Sequence, residues 1–279
     1  MKFEGFMYLD VDDPIVAWNT YRGVLISQKL VQRNKCGGFV SAVSVTAARM
    51  LMSRSWERLK FEQELENARA ATFPDRVSRI TGLYVFDTPE SALAATEGWG
   101  GHINHENLTD VGVSAAPNKT RVDANWITWM LREYEARNSE WGHGIDRYWG
   151  GEPCPFFPEP IWEVLLDGAV TIWGTRLRRR AYDLIRELSP MSLALLEQSR
   201  LAATLGSDLG HITALLTLEN DRPLMSFHTD MRDAQNSEYT DRLHKHIAAH
   251  PELVNHHDLT IGGGIFRMPN FASYSYAFE

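Results

Sequence analysis

IWEVLLDGAVTIWG, residues 161–174, joins β-branched and aromatic residues to an Asp-Gly pair, which predicts two short strands around a turn at Asp167-Gly168. The first strand is apolar except for Glu163. Burying a carboxylate is costly unless it is paired or has a chemical task. Side chains alternate along a strand, so Glu163 shares a face with Leu165. Two interpretations stay open, a functional carboxylate and a glutamate on a solvated strand face.

A second informative segment lies upstream, where SRITGLYVFDTPESA spans residues 78–92. Its residues 80–86 are typical of a strand, and Thr88 followed by Pro89 is typical of a helix N-cap and first helical residue. Gly82 lets the backbone approach a flat ligand closely, and Tyr84 offers an aromatic face. The alternative for Tyr84 is a place in the core.

The remaining pattern predicts a mixture of strands and helices. We expect strands at 3–9, 24–31 and 211–218, one long helix or two abutting helices at 43–69, and further helices at 122–134, 175–188, 191–204 and 238–249. Thr175 is the predicted cap of its helix, and residues 142–160 are expected to form a loop. The fold class that follows is α+β.

Composition limits the classes of function. The net charge of −8 over 279 residues argues against a protein that binds nucleic-acid phosphates over most of its surface. Cys36 and Cys154 form no disulfide framework or thiolate metal motif, which favours a reducing compartment. The start of the chain has no signal-peptide pattern, and no apolar run reaches about 18 residues. We therefore expect a cytoplasmic protein with no membrane partner.

The two segments together resemble a known family. GLYVFDTPESALAA resembles the strand and helix that carry the nicotinamide-stacking tyrosine in the diphtheria-toxin and poly-ADP-ribose-polymerase branch of the ADP-ribosyltransferases. IWEVLL resembles the later strand with their catalytic glutamate, in the same order. The run from Phe61 into Tyr182 is also similar to a little-characterised bacterial group thought to share that fold. The resemblance implies an ADP-ribosyltransferase-like split β-sheet core with flanking helices at 1–188 and a C-terminal extension at 189–279.

The resemblance also implies site residues, with NAD⁺ as a substrate. Glu163 would stabilise the cationic ribose and Tyr84 would stack on nicotinamide. Arg79, for which a surface ion pair is the alternative, and Ser78 would bind the NAD⁺ diphosphate. The first strand lacks the His or Arg that the family carries there. Arg22 is the candidate replacement, and a surface turn is its alternative.

The acceptor is expected to be a macromolecule. Arginine-modifying members carry Glu or Gln where this chain has Ile161, which counts against arginine as the acceptor. Arg176 and Arg179 concentrate charge on one helix, and Trp149 lies in the aromatic segment before Glu163, so RNA or DNA is one candidate and protein the other. A solvated helix face and a loop packed on the core are the alternatives. Related bacterial enzymes are commonly toxins or conflict effectors of bacteria or phages, which implies an antitoxin or immunity protein as partner.

Two other classes of function compete with this hypothesis. Clustered histidines could serve a metal-dependent hydrolase, although their spacing fits no standard motif and the transferase interpretation needs no metal. The histidines concerned are His102, His105, His244, His246, His250, His256 and His257. A non-catalytic module that binds an NAD-like ligand is the other alternative, favoured by the missing first-strand His or Arg.

Overall fold

The computed structural model describes residues 3–28, 40–52, 56–99, 104–220, 222–253 and 269–278. They form an α+β protein with antiparallel sheets. The strands are β1 (Phe3–Tyr8), β2 (Val24–Ile26), β3 (Val40–Val43), β4 (Leu83–Val85), β5 (Leu108–Asp123), β6 (Trp162–Ile172), β7 (Ile212–Glu219), β8 (Arg222–Thr229) and β9 (Tyr276–Ala277). The helices are α1 (Pro14–Arg22), α2 (Val45–Met52), α3 (Trp56–Thr72), α4 (Pro89–Gly98), α5 (Asn125–Glu135), α6 (His143–Gly150), α7 (Thr175–Leu188), α8 (Leu193–Thr204) and α9 (Ser237–Ala249).

The strand β6 is the centre of the first sheet. It pairs with β5 along one edge and with β4 and β2 along the other. The sheet also curls, because β1 pairs with β5 and Phe6 exchanges two backbone hydrogen bonds with Phe86 just after β4. Gly5 permits this crossing, since a Cβ there would lie 2.8 Å from the Phe86 carbonyl oxygen. The curl brings the ends of β1 and β4 together beside β6.

The predicted turn at Asp167-Gly168 is wrong, because residues 162–172 form one continuous strand. Gly168 exchanges two hydrogen bonds of 2.9 Å with Ser27, and Asp167 pairs with Asn118 across the strand. The irregularity that an Asp-Gly pair usually causes lies instead in the facing part of β5, where the register shifts. Pairing on both edges keeps the dipeptide extended, so tertiary contacts override the local turn preference.

The second sheet joins an early segment of the chain to late ones. Its order is β3-β7-β8-β9, so the strand at residues 40–43 pairs with β7 at residues 212–219. On α1, Trp18 Nε1 donates to the Gly210 carbonyl at 2.7 Å, and the Asn19 side chain exchanges two hydrogen bonds with Ile212. Packing is therefore continuous across the proposed boundary between residues 188 and 189, and both segments contribute to one hydrophobic core.

Several other predictions are confirmed, among them the β1 and β7 strands, the polar helix α9, and two abutting helices at 43–69. Thr88 caps α4 as expected, since its Oγ1 accepts from the Ser91 amide at 3.1 Å. Several boundaries were wrong. The strand expected at 24–31 ends at Ile26, with residues 29–31 outside the described part of the chain, and the strand expected at 80–86 is confined to Leu83–Val85. The helix expected from residue 122 begins at Asn125, α6 occupies the first half of the expected loop at 142–160, and Gly174, with no side-chain cap, takes the capping place predicted for Thr175. Across the described ranges, we find no helix with the length and apolar character of a membrane span.

Candidate active site around Glu163

A cavity of about 830 Å³ opens beside the start of β6. Glu163, Tyr84 and Arg79 line it together with residues from α1, α2, α3, α4 and α5. Its volume is in the range of small-molecule sites, which is about 300–1,000 Å³. The described structure thus brings three of the predicted site residues to one concave surface.

Strand register explains why Glu163 and Tyr84 meet. In the β4–β6 pair, Tyr84 lies directly opposite Leu165. Directly opposed residues point to the same face of a sheet, and so do residues two apart on one strand. Tyr84, Leu165 and Glu163 therefore share a face, while Val164 and Leu166 point into the main core. Glu163 is only 7% exposed, which excludes the alternative of a solvated strand face.

The turn before β4 is built from small and hydroxylated residues. Gly82 lies so close to the preceding turn that a Cβ would be 2.6 Å from the Ser78 carbonyl oxygen. The Ser78 hydroxyl accepts from the amides of Ile80 and Thr81 at 3.1 and 3.3 Å. The Tyr84 hydroxyl donates to the Arg79 carbonyl at 2.6 Å. Ser78 therefore stabilises the turn that presents the Arg79 carbonyl to the Tyr84 hydroxyl. Ser78 itself does not line the cavity.

The other end of the site is fixed by Asp123. It is fully buried at the end of β5. Its carboxylate accepts from the amides of Cys154 at 2.8 Å, Ile161 at 2.9 Å and Asn125 at 3.0 Å. These charge-assisted bonds join the end of β5 to the chain entering β6, and so they fix the position from which Glu163 projects.

A buried ion cluster lies behind Glu163. Arg79 forms a bidentate pair with Glu62, with Nε and Nη2 at 3.0 and 3.2 Å from the two carboxylate oxygens. Arg58 binds the same carboxylate at 2.8 Å. The Arg79 Nη1 donates to the Tyr148 hydroxyl at 2.9 Å, whereas it lies 3.8 Å from Glu163 Oε2. Arg79 is thus buried, which excludes the surface ion pair considered for it.

The two carboxylates near Arg79 have opposite pKa shifts. Burial alone would raise the pKa of Glu62, but Arg79 and Arg58 more than offset it and hold that pKa below its ordinary value. Burial raises the pKa of Glu163 to about 7, opposed by Arg79 and reinforced by the Glu62 charge. Glu163 can therefore exchange a proton near neutral pH, which suits a group that acts in a reaction.

Arg22 lies elsewhere in the molecule. It is 1% exposed, and its guanidinium donates to the carbonyls of Val24, Ser207 and Leu209. It is not a surface turn residue, and the lining of the cavity does not include it. Its observed contacts fasten the end of α1 to the segment at 207–209.

The predicted acceptor residues are dispersed. Trp149 is fully buried and packs edge to face on Tyr148, so its ring is not exposed for stacking. Arg176 and Arg179 are exposed on α7, where Arg176 donates to the Glu106 carbonyl at 3.0 Å. Neither arginine lines the cavity. The structure therefore brings none of the three together with Glu163.

Sequence reasoning missed Arg58 and Glu62, although a signal was present. Both fall on the buried stripe of α3 with Leu65, at helical spacing, and the stripe is otherwise apolar. A charged pair four residues apart on such a stripe indicates a buried ion pair. The partner, Arg79, comes from the turn before β4, which the local pattern does not reveal.

The histidine cluster gives no metal centre in the described part of the chain. Within those residues, no group of three His, Cys, Asp or Glu side chains is placed to hold a metal ion. His246 and His250 pack with ring centroids 5.0 Å apart. His102, His256 and His257 lie outside the described residues.

Comparison with known proteins adds no family. No protein-family model matches the chain, and no curated protein matches its sequence. The function is therefore argued from the geometry of the cavity and the chemistry of its residues.

Proposed function

We propose that this protein is an ADP-ribosyltransferase, which transfers ADP-ribose from NAD⁺ to a macromolecular acceptor. One observation carries the proposal: Glu163 and Tyr84, singled out in two distant segments, line the same cavity on the same face of one sheet. The antiparallel α+β architecture is compatible with an ADP-ribosyltransferase-like core, which is part of the proposal.

Glu163 would stabilise the charge that the reaction creates. As the bond between nicotinamide and ribose breaks, its electron pair leaves with neutral nicotinamide and positive charge develops at the anomeric carbon. A fixed carboxylate in a poorly solvated site stabilises that charge more than it stabilises the ground state. Ionised Glu163 can accept a hydrogen bond from a ribose hydroxyl, and its pKa of about 7 also suits it to take the proton of the acceptor.

Tyr84 would orient the leaving group. Its ring lines the cavity, and its hydroxyl is tied to the Arg79 carbonyl, so the plane of the ring is set before a ligand enters. An aromatic face held in this way can stack on the flat nicotinamide ring. Preorganised contacts of this kind lower the entropy cost of reaching the reactive geometry.

The diphosphate role first given to Arg79 fits other arginines of the cavity better. Arg79 is 5% exposed at its side chain and occupied by Glu62 and Tyr148. Arg49 and Arg132 also line the cavity, with side chains 32% and 68% exposed. A guanidinium that reaches solvent can exchange its present carboxylate partner for two phosphate oxygens. We therefore assign the diphosphate to Arg49 and Arg132.

For the acceptor we retain nucleic acid as the first candidate and protein as the second. The exposed Arg176 and Arg179 still offer phosphate contacts, whereas Trp149 is buried and offers no stacking surface. The hypothesis of a toxin with an antitoxin or immunity partner stays a prediction.

The test is transfer of label from NAD⁺ that is labelled in its adenylate portion. Purified protein is incubated with protein, RNA and DNA pools separately, beside Glu163→Gln, which keeps shape and removes charge. Glu135→Gln is the matched control, because Glu135 lines the same cavity from α5 but is exposed. We expect transfer to one pool by the wild type and by the control, and none by Glu163→Gln.

Two outcomes would contradict the proposal. Intact NAD⁺ with every pool would leave ligand binding without catalysis as the better account. Undiminished transfer by Glu163→Gln would show that another group performs the chemistry.

A further inference from the structure

The Arg79 guanidinium is held by groups other than Glu163. Glu62 takes its Nε and Nη2 in a bidentate pair, and the Tyr148 hydroxyl accepts from Nη1 at 2.9 Å. The same Nη1 lies 3.8 Å from Glu163 Oε2, which is too long for a hydrogen bond. Arg79 therefore donates its hydrogen bonds to Glu62 and Tyr148, and it interacts with Glu163 only through the attraction between their charges.

The charged and titratable groups around Glu163 come from several elements. Arg58 and Glu62 are on α3, Arg79 and Tyr84 are in and after the turn at 78–82, Asp123 ends β5, and Tyr148 is on α6. Of these, Arg79 is the cation with the largest influence on Glu163. After burial, the position of Arg79 therefore has the largest effect on the protonation state of the Glu163 carboxylate.

We propose that Glu62 and Tyr148 are positioning residues, which hold Arg79 at a distance from Glu163 and leave the Glu163 carboxylate without a hydrogen bond from the guanidinium. A carboxylate in a bidentate pair with arginine would present fewer lone pairs to a ligand. Held apart from Arg79, Glu163 keeps them for the cavity. That these lone pairs serve catalysis depends on the proposed function above, whereas the positioning itself does not.

Removing either restraint should let Arg79 approach Glu163. In Tyr148→Phe, the Nη1 donor loses its buried acceptor, and an unsatisfied buried donor moves toward an available partner. In Glu62→Gln, Arg79 loses the carboxylate that competes with Glu163 for its charge, so Glu163 becomes its nearest anionic partner. In both variants we expect the Glu163 pKa to fall from about 7 by about 1 to 2 pH units, as a direct guanidinium contact favours the charged form.

The experiment is a pH titration of the full chain by NMR, with ¹³C at the glutamate side-chain carboxyls. The Glu163 signal is assigned by its loss in Glu163→Gln. Tyr134→Phe and Glu64→Gln are matched controls, because this exposed tyrosine–glutamate pair, 3.0 Å apart, lies on α5 and α3 away from Arg79. We expect the Glu163 midpoint to fall in Tyr148→Phe and Glu62→Gln and to stay unchanged in both controls.

An unchanged midpoint in folded Tyr148→Phe would overturn the proposal. This variant removes a single hydroxyl, so it decides the question even if Glu62→Gln does not fold. Where NAD⁺ turnover is measurable, the acid limb of its pH profile should shift to lower pH by the same number of pH units as the Glu163 midpoint. If the wild type does not turn over NAD⁺, the proposed function fails, and the NMR midpoints still decide whether Glu62 and Tyr148 position Arg79.

Discussion

Glu163→Gln should stabilise the protein at neutral pH, although it removes the residue proposed to be catalytic. Burial raises the Glu163 pKa from 4.5 to about 7. A carboxyl with a raised folded pKa contributes stability that is complete below its unfolded pKa and is lost as the pH rises through its folded pKa. The wild type should therefore lose stability between pH 4.5 and pH 7 on account of this group.

The magnitude follows from the shift. About 2.5 pH units at about 1.4 kcal/mol each amount to about 3 kcal/mol. Gln does not ionise, so the free energy of unfolding of Glu163→Gln relative to wild type should rise by about 3 kcal/mol from about pH 4.5 to pH 8. The interaction with Arg79, 3.8 Å away, needs no separate correction, because it already opposes burial in setting the Glu163 pKa of about 7.

The assay is urea denaturation of both proteins across this pH range, with a constant m-value as a check on two-state behaviour. Glu135→Gln is the control, since a substitution at an exposed position should stay within about 0.5 kcal/mol. A difference between Glu163→Gln and wild type that is constant from pH 4.5 to 8 would refute the buried, proton-binding state of Glu163.

Other perturbations test other parts of the structure. Glu62→Gln should lower the free energy of unfolding by about 3–5 kcal/mol at pH 7 in the same assay, because it leaves the charge of two buried arginines uncompensated. The Glu62 pKa is lowered in the folded protein, so the wild type loses this stabilisation as the pH falls through that pKa, and the difference between the two proteins should shrink there. A destabilisation below about 1 kcal/mol at pH 7 would contradict the role of Glu62 as the counter-charge. Gly5→Ala should lower the free energy of unfolding by about 1–3 kcal/mol, measured by thermal unfolding, because its Cβ would lie 2.8 Å from the Phe86 carbonyl oxygen. An unchanged melting temperature would show that β1 can shift to make room. Arg22→Met should lower the free energy of unfolding by about 2–3 kcal/mol and speed amide hydrogen exchange at residues 207–212, because the Ser207 and Leu209 carbonyls lose their donor. Exchange at the wild-type rate would show that Arg22 does not hold this segment in place.

Local signals predicted most of the elements. The Thr88 cap and the apolar periods of the helices act within one or two turns, so they are legible in the sequence. Glu163 and Tyr84 were found because a carboxylate and a tyrosine are conspicuous in short apolar strands. Their meeting required only that the two strands pair in register.

What the sequence could not reveal depends on partners far along the chain. Asp167-Gly168 stays extended because Asn118 pairs with Asp167 on one edge and Ser27 hydrogen-bonds to Gly168 on the other. Arg22 is fixed by carbonyls at 207 and 209, and Arg79 by a helix that precedes it. A lone arginine in a sequence does not tell whether its partner is solvent, phosphate or a buried carboxylate.

The central claim is that the Glu163 carboxylate drives cleavage of NAD⁺, and nicotinamide release tests it most directly. The rate of release is compared between wild type and Glu163→Gln at matched NAD⁺ occupancy, established by a binding titration of each protein. We predict that the variant binds NAD⁺ but releases nicotinamide at least about 100-fold more slowly, as expected when one charge-stabilising group is removed. Release at the wild-type rate from NAD⁺-saturated Glu163→Gln would contradict the account.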